Sequence, residues 1–211
     1  AKLDLKNFSE VLTHTLERCH FGRDLFVFSD VSMDTLDYTG PEVNKGSKGV
    51  MIGMGDPIRS LPREWKGDLS ALGVRDARVY CPGCLVVEVP DYESNKDMGA
   101  TLANHPALQD WPMIVAVDSA RMATKSDPAF LWTTFTRFEP AADLYFAKAE
   151  LRRNKPVFEA PMVIDARMKP WYPKELFADD ATKQTVSQEW NKYFPDRNVE
   201  MGDSDYGHLQ A

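Results

Sequence analysis

Apolar residues in this chain come in short runs that alternate with stretches of helical periodicity, and that alternation restricts the fold more than any other feature. Asp24-Leu25-Phe26-Val27-Phe28, Val50 to Gly55, Ala77 to Tyr80, Leu85 to Val89, Pro112 to Asp118, Leu144 to Lys148 and Pro161 to Asp165 have the length and composition of strands. Between them lie helical patterns. Asn7 to His20 places Phe8, Val11, Leu12 and Leu16 on one face, with Ser9-Glu10 as its cap region and Gly22 as its stop. Pro57 opens a second pattern carrying Ile58, Leu61 and Trp65 on one side. Ser94 to Asn104 is a third, and Ser126-Asp127-Pro128 is a capping signal that launches Ala129 to Phe138. Asp179 to Tyr193 ends the series with an acidic first turn suited to the helix dipole. Strands alternating with helices predict an α/β fold, a single layered domain with a mixed sheet flanked by helices.

The chain divides on this reading into a helix and strand–loop extension (residues 1–44), the α/β domain (45–195) and a polar tail (196–211). At 211 residues it can bury a core without disulfides or structural metals. The apolar runs are far shorter than the roughly 20 residues that span a bilayer, and no charged segment followed by an apolar one opens the sequence. Three cysteines, an odd number, fit a reducing compartment, so a cytoplasmic location is expected. A net charge of −7 without a run of Lys or Arg argues against nucleic acid or an anionic membrane as partner.

Four constellations invite a chemical reading. Cys81-Pro82-Gly83-Cys84 has the spacing of a redox pair or half a zinc site, with Cys19-His20 as the other compact ligand candidate; Pro-Gly is also a turn dipeptide, the reading favoured here. Gly46-Ser47-Lys48-Gly49 lacks both phosphate-binding fingerprints and reads as a loop needing left-handed glycine, with Lys48 available to an anion. Asp118 with Arg121, and Asp165 with Arg167, are acid–base pairs at strand ends, where α/β sheets place sites; a structural ion pair is the simpler account of each. The histidines lack any spacing that would make them catalytic.

Two segments share an order of parts. Arg23 to Phe28 leads to Gly49-Val50-Met51-Ile52 and Pro62-Arg63-Glu64; Ala142 to Phe146 leads to Pro161-Met162-Val163-Ile164 and Pro173-Lys174-Glu175. The likeness is an internal repeat or a chance match of two strand–loop–strand units.

The aromatic helix Phe130 to Pro140 adds a family likeness. A strand ending in Asp118, then Trp132, Thr136, Arg137, Pro140 and Asp143, then Ile164-Asp165-Ala166 follow one another in the order found in the C-terminal domain of the UbiD family, which the chain resembles over about residues 45–180. Gly49 to Trp65 and Asp76 to Val89 look like the entry to that domain, and Asp34 to Lys48 is similar to the family's last loop, out of its usual order. The resemblance implies decarboxylation or carboxylation of aromatic and unsaturated acids with prenylated flavin mononucleotide. The family's Glu-Arg-Glu catalytic network has no counterpart in this sequence. The implied role is therefore an accessory subunit, inactive alone and binding no cofactor itself. It would pair with a larger UbiD-like catalytic subunit that holds the prenylated FMN with a divalent metal and acts on an aromatic acid, phenol or aromatic hydrocarbon. Thr134, Phe135, Thr136 and Arg137 are then the pocket candidates, and Lys48, Asp118, Arg121 and Asp165 a possible ion-pair or anion site. Two other roles stay open: a self-sufficient small lyase using Asp118, Arg121, Arg137 and Asp165, and a metal or redox module built on Cys81 and Cys84.

Overall fold

A computed structural model of the chain describes residues 3–174 and 178–195. The polar tail and the last residue of the Pro173-Lys174-Glu175 segment lie outside the described residues. The elements run α1 (Phe8–Arg18), α2 (Phe21–Asp24), β1 (Leu25–Ser32), β2 (Lys45–Met51), β3 (Asp76–Cys81), β4 (Cys84–Glu88), α3 (Met98–Ala103), β5 (Met113–Val117), α4 (Ala120–Ala123), α5 (Asp127–Phe135), α6 (Pro140–Asp143), β6 (Leu144–Arg152), β7 (Lys155–Asp165) and α7 (Asp180–Tyr193). The chain forms one compact unit up to Tyr172 and a second from Pro173 that contains α7. Asp179 caps α7 by accepting from the Thr182 N–H at 2.8 Å. No described helix is long and apolar enough to cross a membrane.

A five-stranded mixed sheet, in the order β3-β4-β5-β7-β6, organises the first unit. β4, β5 and β7 run parallel, while β3 and β6 close the edges as antiparallel partners of β4 and β7. The expected α/β architecture with a mixed sheet and flanking helices is thus the one observed. β5 is buried along its whole length, as a central parallel strand covered on both faces must be. Alternate residues serve two cores: Val86, Val115 and Ile164 pack with Leu12, Leu16 and Phe130, whereas Leu85, Val87, Ile114 and Val163 pack with Met98, Leu102 and Leu108.

Local chemistry explains most boundaries. Ser126 accepts from the Ala129 N–H and starts α5, as its capping signal predicts. Asn7, rather than Ser9, caps α1. Cys81-Pro82-Gly83-Cys84 is the tight turn of the β3–β4 hairpin, with Gly83 at φ +82°, a conformation that favours glycine. Arg153 and Asn154, both at positive φ, make the two-residue turn between β6 and β7. Two expectations need correction. Gly46 to Gly49 lies inside β2, and its glycines are absent from the left-handed region. The stretch from Pro57 to Trp65 forms no helix, because Pro62 lacks an N–H and disfavours helical backbone at Leu61. It crosses the C-terminal end of α1 as an extended strap, with the Ile58 N–H donating to the Glu17 carbonyl and Arg59 to the Cys19 carbonyl.

The repeated order of parts corresponds to repeated structure. α1, α2, β1 and β2 form a helix–short helix–hairpin unit, and α5, α6, β6 and β7 form another. In each, the short helix ends on an Asp whose carboxylate accepts the N–H four residues earlier: Asp24 from His20 at 3.0 Å, Asp143 from Glu139 at 2.7 Å. The hairpin registers Leu25↔Met51 and Leu144↔Ile164 align the units at offsets of 119 residues in the helices and first strands and 113 in the second strands. Gly49 is thereby the counterpart of Met162, one residue along from where the sequences alone align best. The units clasp each other. α2 packs on β7, where the Lys155 ammonium donates to the Gly22 and Arg23 carbonyls, and α6 packs on β1 and β2, where the Ala141 N–H donates to Ser47.

Candidate functional site

A cavity of about 490 Å³ lies between the two helix–hairpin units. Its wall contains counterparts from both: Thr15 and Thr134, Leu25 and Leu144, Met51 and Ile164. The helices place the threonines because each stands on the face turned toward the other unit, while Phe8, Phe130, Phe135 and Phe138 supply apolar surface. Thr15 satisfies its hydroxyl by donating to the Val11 carbonyl at 2.8 Å. Thr134, fully buried, has an Oγ1 without a hydrogen-bond partner. An orphaned hydroxyl costs on the order of 1–3 kcal/mol, which a ligand able to accept or donate there would relieve. Lys48 and Asp37 bring the charged groups among the described lining residues.

The sequence-nominated pocket residues therefore separate. Thr134 and Phe135 line the cavity, while Thr136 and Arg137 do not; Lys48, nominated instead for an ion pair or anion, lines it as well. Thr136 is half-buried and returns its hydroxyl to the Trp132 carbonyl at 2.7 Å as the C-cap of α5. Arg137 turns inward to a second feature, a buried charge cluster beyond the ends of β5 and β7.

In that cluster Arg137 pairs with Asp118 at 3.3 Å, and Asp118 also accepts the Met168 N–H at 2.8 Å. The expected Asp118–Arg121 pair does not form: Arg121 is exposed on α4, because the turn after β5 points it to solvent. Asp165 and Arg167 do pair. Two guanidinium nitrogens reach both carboxylate oxygens at 2.6 and 2.8 Å with both side chains wholly buried, and the third nitrogen donates to the carbonyls of Pro90, Asp91 and Asn95. Lys169 bridges Asp143 at 3.1 Å and the Arg137 and Asp165 carbonyls. Burial pushes the Asp118 and Asp143 carboxyls above their ordinary range against the pull of Arg137 and Lys169, and burial likewise depresses the Lys169 ammonium. For Arg167, burial pulls the guanidinium down, but the hydrogen bond to Asp165 and the charges of Asp165 and Asp118 together hold it above its usual value. Each ion is committed to backbone or counter-ion, so the cluster pins the segments after β5, α5 and β7 together. Lys169 carries no sequence signal, since nothing local distinguishes it from a surface lysine.

Cys19, Cys81 and Cys84 are free, buried and part of one apolar core, and His20 is exposed at the start of α2. Hydrogen bonding to Cys84 lowers the Cys81 thiol, and burial raises Cys84. Among the described residues no group of three His, Cys, Asp or Glu is placed to hold a metal. The four candidate ligands are accordingly not gathered into a site. Besides Thr134 Oγ1, two further buried atoms among the described residues lack a partner: Thr133 Oγ1 on α5 and His105 Nδ1.

Comparison with known proteins adds identity to this geometry. The family profile of the 3-octaprenyl-4-hydroxybenzoate carboxy-lyase C-terminal domain matches residues 1–53, the α1–β2 unit, which lies ahead of most of the span where the motifs place the resemblance. A Chlamydia pneumoniae protein named as a subunit of 4-hydroxybenzoate decarboxylase is 45% identical over 94% of this chain and 33% of its own length. A Chlamydia trachomatis protein is 45% identical over 92% of this chain and 33% of its own. The chain spans about a third of the length of the curated relatives it matches. The solved vanillic acid decarboxylase of Sedimentibacter hydroxybenzoicus aligns at a TM-score of 0.32 and 16% identity over 54% of this chain and 27% of that one, too low a likeness to bear on the fold. The profile on the first helix–hairpin unit and the chlamydial relatives across nearly the whole sequence agree: this chain is similar to the UbiD family.

Proposed function

We propose that this chain is the site-completing or assembly part of a UbiD-like carboxy-lyase that acts on an aromatic substrate in the cytoplasm, as an accessory subunit of a hetero-oligomer. The observation that carries this reading is the 45% identity, over 94% of the chain, to a protein named as a subunit of 4-hydroxybenzoate decarboxylase. The buried ions favour a non-catalytic role, because Asp118, Arg137, Asp165 and Arg167 are each spent on structural bonds. The cavity lining does not fit prenylated FMN. Lys48 is its only cation among the described residues, too little for a flavin phosphate, and no carboxylate cluster stands by for a divalent metal. That cofactor belongs, on this reading, to the larger UbiD-like partner, and no step of its chemistry falls on these residues. Thr134 and Phe135 would contribute wall to a pocket that accepts an aromatic acid or phenol.

The test is co-expression of this chain with the remaining two-thirds of a chlamydial relative. The two should co-purify, and release of carbon dioxide from 4-hydroxybenzoate should rise over that of the partner alone. Separate elution together with unchanged turnover overturns the proposal.

A further inference from the structure

The two helix–hairpin units are alike in every element but one. In the second unit the outer edge of β7 is filled by β5, which runs parallel to it from Met113↔Met162 to Ala116↔Asp165. The Met162 N–H donates to the Pro112 carbonyl and the Ala166 N–H to the Ala116 carbonyl, so alternate residues of β7 face β5. In the first unit the corresponding edge of β2 has no strand beside it among the described residues, where β1 and β2 form a two-stranded sheet.

Hydrogen-bond parity shows that this edge is prepared in the same way. The Ile52 N–H donates to the Asp24 carbonyl, which makes Asp24/Ile52 a bonded pair and, two residues on, Phe26/Val50 another. Gly49, Met51 and Gly53 therefore point their amides away from β1. They are the counterparts of Met162, Ile164 and Ala166, and among the described residues their amides have no hydrogen-bond partner. Lys48, Gly49 and Val50 are exposed, and Val50 keeps 44% of its surface where its counterpart Val163 keeps none. An exposed apolar edge of this kind is a template for a further strand. The offset of 119 residues places the counterpart of β5 ahead of Ala1, outside this sequence, and the relatives have about twice this chain's span of further sequence in which to carry it.

We infer that the outer edge of β2, from Gly49 to Gly53, is a strand-acceptor site whose occupant is a short, apolar, parallel strand of UbiD-type polypeptide, seated as β5 is seated on β7. The inference rests on the proposed role beside a UbiD-type partner and names the contact through which that partner is held. Pairing would extend β1–β2 to three strands and complete the first unit on the pattern of the second.

The test uses the 211-residue chain and a synthetic peptide copying residues 111–119, flanked by lysines, as the probe strand. It reads amide exchange and needs no decarboxylase activity, so its failure is separable from failure of the functional reading. Added peptide should slow exchange at Gly49, Met51 and Gly53 by about tenfold or more. Gly49→Pro, which removes an outward N–H and leaves the β1 ladder intact, should abolish that protection without shifting the thermal midpoint. A peptide N-methylated at the positions of Ile114 and Ala116, the residues that face β7 in the parent strand, should give none, and this control does not depend on folding of a variant. Unchanged exchange on adding the unmodified peptide overturns the site. So does protection already present in the free chain through self-association, since a second copy would then own the edge.

Discussion

The α1–β2 unit and the α5–β7 unit share a plan and differ in what surrounds them. At the end of β7 stand Asp165 and Arg167, both wholly buried and mutually bonded; the register-matched positions after β2 are Ile52 and Met54, 39% and 76% exposed. Val163 is sealed beneath α3, whereas Val50 faces outward. The same backbone scaffold is thus a core element in one place and a surface hairpin in the other. The neighbouring strand makes the difference, because burial of a strand depends on both of its edges and both of its faces being covered.

The largest expected effect breaks the buried end of the second unit. Arg167→Met leaves Asp165 buried without its counter-ion and orphans three carbonyl contacts, so it should cost about 3–5 kcal/mol in urea unfolding. Met54→Ala, its counterpart, should stay within about 0.5 kcal/mol. Equal losses at the two positions would dissolve the contrast.

A gentler version compares side chains of identical type. Val163→Ala empties packed space and should cost roughly 2 kcal/mol, while Val50→Ala should cost under about 0.5 kcal/mol in the isolated chain. Measured again with the strand peptide bound, Val50→Ala should become more costly, which sharpens the comparison into a test of the edge.

The smallest effect is a pair of opposed pH slopes. Burial raises the Asp143 carboxyl, so the folded chain binds its proton more readily than the unfolded one does. The stability this adds is fully present below the unfolded value of 3.8 and is lost as pH rises through the folded value. The Arg23 hydrogen bond lowers Asp24, whose stabilisation is present above 3.8 and lost as pH falls through its folded value. Asp143→Asn should remove the first slope and Asp24→Asn the second, read as urea midpoints between about pH 3 and pH 6. The Asp24 effect is the weaker, since Arg23 is largely exposed and solvent screens the pair. Slopes of the same sign would refute the assignment.

Much of the fold is legible residue by residue. The Ser126 cap, the Cys81-Pro82-Gly83-Cys84 turn and the Asp179 start of α7 are signals carried within four residues, and each element begins or turns where its signal stands. From Pro57 onward apolar spacing points to a helix, and Pro62 overrides it. Gly46 to Gly49 has the composition of a loop, yet close packing of Gly49 near Pro140 and of Ser47 against α6 draws it into the hairpin, so β2 starts earlier than its apolar run. At the site, Thr134 and Phe135, nominated for a pocket, and Lys48, nominated for an anion, line one cavity; Arg137, also nominated for the pocket, instead meets Asp118.

The sequence by itself determined the alternation of strands and helices and most of their caps and turns, because periodicity, proline and glycine act over one or two turns of chain. Only the tertiary structure decided which carboxylate meets which cation, that two segments 119 residues apart clasp as counterparts, and that one of their edges is filled while the other stands open. Those outcomes depend on surfaces brought together across the fold, where burial strengthens a charge pair and completes or exposes a strand, and no local pattern records which neighbour will arrive.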